Sequence, residues 1–303
     1  MAKKITLFEN LRAVPYVPFY LAIAQGVWNR EGLDVRIETS PAMSQTAEAL
    51  LDGRADVSWG GPMRVLTYHD KDPNCPLICF GHVVARDPFV LVGREPNNNF
   101  RFSDLSNLKV AIAVEAPTPW MTFQDDLKRA GLTLNCFKHT RSQPMSENVI
   151  DLRAGKVDVI QVFEPYVDQL ISNGHGHIWH RFANRGDIAY TTFYTTRYFA
   201  EQHRDQCRAL VRGIANMQIT LHTETASRIA KCIRRFFPTL TLKQLSRIIS
   251  GYRNSRLWAK SPTLSPEAFV RLKSALLSGA LISRDIPYEN VVDEELSNTA
   301  LQT

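Results

Sequence analysis

The feature that most constrains this chain is that it repeats itself. Leu51-Asp52-Gly53-Arg54-Ala55-Asp56-Val57-Ser58-Trp59 follows the same plan as Leu152-Arg153-Ala154-Gly155-Lys156-Val157-Asp158-Val159-Ile160: a helix stopped by a glycine, a basic residue, then an Asp before a short apolar strand. A second pair keeps the register, since Arg30-Glu31-Gly32-Leu33-Asp34-Val35-Arg36-Ile37 matches Arg129-Ala130-Gly131-Leu132-Thr133-Leu134-Asn135-Cys136. Each glycine suits the left-handed position after a helix, where a Cβ would be strained. The duplicated plan predicts two βαβαβ units: strands over 5–9, 33–38 and 56–59 with helices over 18–30 and 44–52, then strands over 110–114, 132–137 and 157–163 with helices over 120–130 and 146–154. Alternating strands and helices imply parallel-rich sheets flanked by helices.

The expected fold class is therefore α/β with two lobes. Residues 1–86 begin lobe 1, 87–188 form lobe 2, and 189–303 supply a return crossover and a helical C-terminal extension on lobe 1. The apolar run Phe89-Val90-Leu91-Val92 reads as the strand entering lobe 2, and 187–198 carries the chain back. Helices are predicted over 207–221, 226–236, 242–257 and 266–278. The length of 303 residues suits two lobes of ordinary size.

Composition narrows the function classes. Apolar residues make up 44% and charged residues 22%, and no run approaches the roughly 20 apolar residues of a membrane span. The net charge of +6 includes Arg234-Arg235 and the basic stretch from Arg253 to Lys260. No helix-turn-helix, zinc-finger or RNA-recognition pattern accompanies them, so a solvated face is expected and nucleic acid is not. Cys75, Cys79, Cys136, Cys207 and Cys232 are odd in number and scattered, which reads as single buried thiols rather than a disulfide framework. His69, His82, His139, His175, His177 and His180 include one close pair in a Gly loop, but no third ligand completes a metal site. No cofactor is expected, and neither a Walker loop nor a dinucleotide fingerprint is present. Met1-Ala2-Lys3-Lys4 leads straight into Ile5-Thr6-Leu7-Phe8 without an apolar leader segment, so the reading is cytoplasmic as written, and periplasmic if a leader precedes it.

In open parallel sheets ligands lie beyond the carboxyl ends of the strands, which points to the loops at 10–16, 60–64, 115–119 and 164–166 and to the return crossover at 190–194. Asn10 and Arg12 follow the first strand, and Arg12 suits an anion. Trp59 ends a strand before Gly60 and Gly61, where missing side chains would let a ligand approach the backbone. Thr118, between two prolines, is placed to cap a helix beginning at Pro119, with Trp120 beside it. Glu164 and Tyr166 follow another strand, and Tyr190 and Phe193 sit in the return crossover. These eleven residues form the candidate ligand site, and none is assigned a catalytic role. Their aromatic walls favour a small planar ring. Glu164 would accept from an amino-substituted heterocycle, whereas a sulfonate or nitrate would take the donors of the 117–120 helix start and Arg12.

Phe19-Tyr20-Leu21-Ala22, Gly26-Val27-Trp28, Glu31-Gly32-Leu33-Asp34-Val35, Gly53-Arg54-Ala55-Asp56-Val57 and Phe163-Glu164-Pro165-Tyr166 occur in an order that resembles the SsuA/THI5-like (NMT1-like) family of type II periplasmic-binding-protein folds. The resemblance covers nearly the whole chain. It implies a non-catalytic, monomeric solute-binding protein of an ABC importer, delivering a small organic ligand such as a sulfonate, aromatic acid or thiamine-precursor pyrimidine to a permease. It also implies hinge closure about 85–89 and 187–194. The alternative it raises is a cytosolic enzyme, either another leaderless two-lobed enzyme or a pyrimidine synthase, which uses a lysine, a histidine and a cysteine motif. The corresponding positions here resemble Gly60, Arg64 and the stretch 190–194, which lack those groups, with Lys71 and His69 the nearest substitutes.

Overall fold

The structure, a computed structural model, describes residues 2–300, except for the side chain of Met43. It divides into two compact units: residues 1–86, 187–274 and 282–303 form unit 1, and 87–186 with 275–281 form unit 2. The seven-residue return to unit 2 is the end of the helix Pro266–Ser278 and the turn after it.

Unit 1 is built on a sheet of β1 (Lys3–Glu9), β2 (Leu33–Thr39), β3 (Val57–Gly60), β4 (Leu77–Val84) and β10 (Thr191–Thr196), in the order β2-β1-β3-β10-β4. Unit 2 carries β5 (Val90–Gly93), β6 (Lys109–Ala111), β7 (Lys138–His139), β8 (Val159–Val162) and β9 (His177–Arg181), in the order β7-β6-β8-β5-β9. The two orders have the same form. In each sheet the repeat supplies three adjacent parallel strands. The antiparallel member is the strand the chain forms on entering the unit: β5 on the way in to unit 2, and β10 on the return.

The glycine stops behave as the repeat requires: Gly32, Gly53, Gly131 and Gly155 all have φ between 70° and 79°. The repeated Asp also does the same work twice. The carboxylate of Asp56 accepts the amide of Thr6 in β1 at 2.7 Å, and that of Asp158 accepts the amide of Lys109 in β6 at 2.9 Å. Each Asp returns its own amide to the carbonyl of the same partner residue. The pair of bonds fixes β3 on β1 and β8 on β6, so one sequence motif sets the register of both sheets.

The helices of unit 1 are α1 (Val17–Ala24), α2 (Val27–Arg30), α3 (Thr46–Leu51) and α4 (Pro62–Lys71), while α5 (Pro117–Arg129), α6 (Met145–Arg153) and α7 (Tyr166–Ser172) belong to unit 2. Beyond the return lie α8 (Arg197–Gln202), α9 (Arg204–Thr223), α10 (Ala226–Ile233), α11 (Leu242–Asn254), α12 (Pro266–Ser278), α13 (Tyr288–Val291) and α14 (Glu294–Ala300). The 20-residue α9 is the main brace of unit 1, packing on α1, α14 and β4. Trp28, fully buried, lies against Gly213 of α9 and donates its indole N–H to the Leu210 carbonyl at 3.1 Å.

Three expectations change. The strand placed at 132–137 is instead a turn closed by the Cys136 amide on the Thr133 carbonyl, and β7 begins only at Lys138. Thr118 does not cap α5: Ala116 is the N-cap residue, Pro117 occupies the first helical position, and Thr118 lies inside the helix. Of the thiols, Cys75, Cys79 and Cys207 are buried, whereas Cys136 is half-buried and Cys232 exposed.

Candidate functional site

In unit 1 the carboxyl ends of β1 and β3 meet the loop that follows β1. Glu9, the last residue of β1, is fully buried yet saturated with donors: Arg12 through Nε at 3.1 Å and Nη2 at 2.6 Å, the Tyr20 hydroxyl at 2.7 Å and the Thr39 hydroxyl at 2.5 Å. The bond to Glu9 raises the Arg12 pKa further above its usual value and fixes one edge of a guanidinium that is otherwise 45% exposed. Asn10 is held by the Tyr16 hydroxyl at 3.1 Å and by the Leu11 amide at 2.9 Å. A Cβ at Gly60 would come within 3.3 Å of the Tyr194 ring and 3.4 Å of the Asn10 amide, so the glycine permits a close approach of β3, β10 and the loop after β1. Gly61 is the N-cap residue of α4.

The aromatic candidates of unit 1 form its core. Trp59 is fully buried and stacked on Phe19 at 4.3 Å with planes 6° apart, and Phe193, also fully buried, meets Phe19 edge-on and stacks on Phe80. Tyr190 is buried at the start of the return. The Trp59 indole N–H is itself buried without a hydrogen-bond partner among the described residues. Gly60 and Arg64 flank the start of α4, and His69, farther along it, is tied through Nε2 to the Leu77 carbonyl at 2.8 Å.

Unit 2 holds a cavity of about 270 Å³ beyond the carboxyl ends of β6 and β7. Its walls are the segment after β6, the first turn of α5 with Pro117 and Trp120, and the end of β7 with His139 and the Thr140, Arg141 and Ser142 that follow it. None of the lining residues is acidic. Trp120 meets His139 edge-on at 5.0 Å, which stiffens this aromatic wall. Arg141 is 81% exposed and only loosely held, with contacts of 3.4 Å to Gln143 and 3.5 Å to Glu147. The Thr140 hydroxyl is buried and makes no hydrogen bond among the described residues. Pro117 and Pro119 lack N–H groups, so Thr118 is the donor of the first turn and the positive charge comes from Arg141 instead.

Of the residues expected in unit 2, Trp120 lines this cavity and Thr118, Glu164 and Tyr166 do not. Glu164 accepts the Asp168 amide at 2.8 Å and so anchors the start of α7, whose first residue is Tyr166. His139, Arg141 and Ser142 were missed because the strand before them was placed too early. The available signal was the polar run Lys138-His139-Thr140-Arg141-Ser142, standing where a strand end should be.

Parallel-rich sheets, each completed by an antiparallel strand at a chain crossing and flanked by helices, define the type II periplasmic-binding-protein fold. The chain belongs to the NMT1/THI5-like family, whose profile matches residues 15–217. It is 22% identical over 296 residues to YtlA of Bacillus subtilis (strain 168), a candidate binding protein by its name, with 97% of this chain and 89% of YtlA aligned. Among solved structures, it shares the fold of the periplasmic aliphatic sulphonate binding protein SsuA from Escherichia coli, with TM-score 0.78, 14% identity and coverage of 96% and 92% of the two chains. It also shares the fold of the desulfurization enzyme DSZB, with TM-score 0.72, 11% identity and 99% of both chains covered. The fold thus houses both binding and catalysis, and the choice between them falls to the residues at the strand ends.

Proposed function

We propose that this protein is the solute-binding component of an ABC-type importer and that its ligand is a small organic anion with a flat or apolar body, such as a sulfonate or an aromatic acid. The observation that carries the reading is the unit 2 cavity, where an accessible guanidinium, two hydroxyls and a tryptophan converge with no carboxylate among the lining residues. A volume of about 270 Å³ lies just below that of ordinary ligand pockets, which run from roughly 300 to 1,000 Å³, and so suits a small ligand. Arg12, preset by Glu9, is a second candidate cation in unit 1. The names of SsuA and YtlA support binding rather than turnover. An aminopyrimidine fits less well, because Glu164 already accepts a backbone amide and lies outside the cavity lining. Closure on the ligand would hinge at the crossings near residues 86–87 and 186–187.

Thermal-shift screening of alkyl sulfonates, aromatic acids and aminopyrimidines, followed by calorimetry, tests this directly, since a ligand that binds only the folded state raises its melting temperature. Arg141→Ala is expected to weaken the best anion about tenfold to a hundredfold, the equivalent of one charge-assisted hydrogen bond. Trp120→Ala should weaken ligands with a ring more than those without. Glu164→Gln should leave anion affinity unchanged. Anion affinity that survives Arg141→Ala, or turnover of a sulfur-containing ligand by the wild type, would sink the assignment.

A further inference from the structure

The basic residues of this chain are not spread evenly. Between Thr225 and Pro266 there are nine Lys or Arg and no Asp or Glu, so this one segment carries +9 in a chain whose net charge is +6. It comprises α10, α11 and the turns flanking them, all within unit 1. The helices pack on each other and on the unit through Ile229, Ala230, Ile233, Leu245, Ile248 and Ile249, all buried. Their outer sides therefore carry the charge. Arg228, Lys231 and Arg235 follow one another at helical spacing and are exposed, as are Lys243 and Arg247 one turn apart on α11, and Arg256 and Lys260 beyond it.

This surface is set apart by the density of its cations in a segment that holds no carboxylate of its own, whereas several arginines elsewhere are neutralised. Elsewhere in the described residues Arg12, Arg129, Arg185, Arg204, Arg208 and Arg212 all sit against carboxylates. In the basic segment Arg228 pairs with Glu224, whereas Lys231, Arg235, Lys243, Arg256 and Lys260 make no ion pair among the described residues. Their charge is left to solvent, where a polyanionic surface would release counterions and bind all of them at once. Leu242, 42% exposed beside Lys243, and the half-buried Phe236, under the Arg235 guanidinium at 4.8 Å, add apolar groups of the kind that settle among lipid headgroups.

We propose that the outer faces of α10 and α11 form a docking surface for an anionic phospholipid membrane. The surface is formed by two packed helices whose buried sides belong to the core of unit 1, so it would attach reversibly through long basic side chains rather than by insertion. This proposal does not depend on the ligand assigned above.

Flotation with vesicles made of equal parts phosphatidylglycerol and phosphatidylcholine, compared with phosphatidylcholine alone, tests it on the full-length protein. Binding is expected to the mixed vesicles alone and to fall as salt is raised. Each cation near such a surface contributes about fivefold to affinity, so the triple variant Lys231→Glu, Lys243→Glu, Lys260→Glu should lose about a hundredfold or more. The variant Lys4→Glu, Lys138→Glu, Arg153→Glu changes the net charge by the same amount at exposed positions elsewhere and should bind nearly as wild type. Unfolding curves would verify that both variants fold. Equal loss in the two variants would reduce the effect to overall charge and overturn the docking surface, and tighter binding to duplex DNA than to the vesicles at the same ionic strength would overturn the lipid assignment.

Discussion

His82, buried in β4, contributes to stability only while it is neutral. Burial is the main cause of its lowered pKa, to about 4, against the smaller opposing effect of its bond to the Val84 carbonyl at 3.0 Å. A histidine that resists protonation when folded, but takes a proton near its ordinary pKa when unfolded, stabilises the protein above that pKa. The contribution is lost as the pH falls from about 6.5 toward 4. The span corresponds to about 3 kcal/mol. His82→Gln keeps a donor for Val84 and should flatten the acid side of the stability profile, read from urea unfolding between neutral and mildly acid pH. The remaining slope would include His69, His180 and His222, whose pKa values burial also lowers. The candidate site was only partly legible at this scale. Trp120 and Arg12 could be found because a strand end and a polar or aromatic residue coincide in the sequence. Trp59 was drawn toward the ligand by the same rule, although Phe19 takes up one face of its ring. Sequence position says that a side chain stands at a strand end, not which way it points.

Elements were legible where a backbone constraint marked them. The four glycine stops announced the helix ends because a left-handed residue is needed there, and their φ values show it. The end of α5 shows the limit, since Leu132, Leu134 and Cys136 alternate in exposure as a strand would, but the ladder does not form until Lys138. Two helical glycines that look alike in sequence separate in the structure. A Cβ at Gly213 in α9 would fall 2.2 Å from the Trp28 indole nitrogen, while one at Gly251 in α11 would meet nothing within 4 Å. Ala favours a helix over Gly by about 1 kcal/mol, and overpacking a core costs about 1–3 kcal/mol. Gly251→Ala should therefore raise stability slightly. Gly213→Ala should lower it by about 1–3 kcal/mol, because Trp28 must move and give up its bond to Leu210. Denaturant midpoints of the two variants, measured side by side, check the contrast.

At the scale of the molecule, the chain passes between the units twice in mid-sequence, and both crossings are held by charge. Arg86 meets Asp187 at 2.8 Å on the unit 1 side. On the unit 2 side Arg185 bonds to Asp87 at 3.0 Å and to Asp126, and Asp87 also accepts the Thr122 hydroxyl at 3.2 Å and the Phe89 amide at 2.9 Å. The second cluster is nearly dry, with the Asp87 side chain fully buried and that of Arg185 10% exposed. A lone guanidinium there balances two carboxylates, so the consequences of removing different members are unequal. Asp87→Asn leaves Arg185 paired with Asp126, but Arg185→Met leaves the buried Asp87 and the half-buried Asp126 without their cation, a loss of about 3–5 kcal/mol. The pH dependence distinguishes this from lost packing. Burial already raises the Asp87 pKa against the pull of Arg185, and a carboxyl whose folded pKa is raised favours the folded state at low pH and loses that advantage as the pH rises through it. Without Arg185 this pKa should rise further. Arg185→Met is therefore expected to be much weaker than wild type at neutral pH and to recover part of the difference in mildly acid buffer, with the change concentrated in unit 2. Trp120 and Trp179 lie in that unit, and Trp28, Trp59 and Trp258 lie in the other. Fluorescence of variants keeping one set of tryptophans at a time would follow each unit's unfolding, and a destabilisation of Arg185→Met that is the same at both pH values would show that the cluster acts through packing instead of charge.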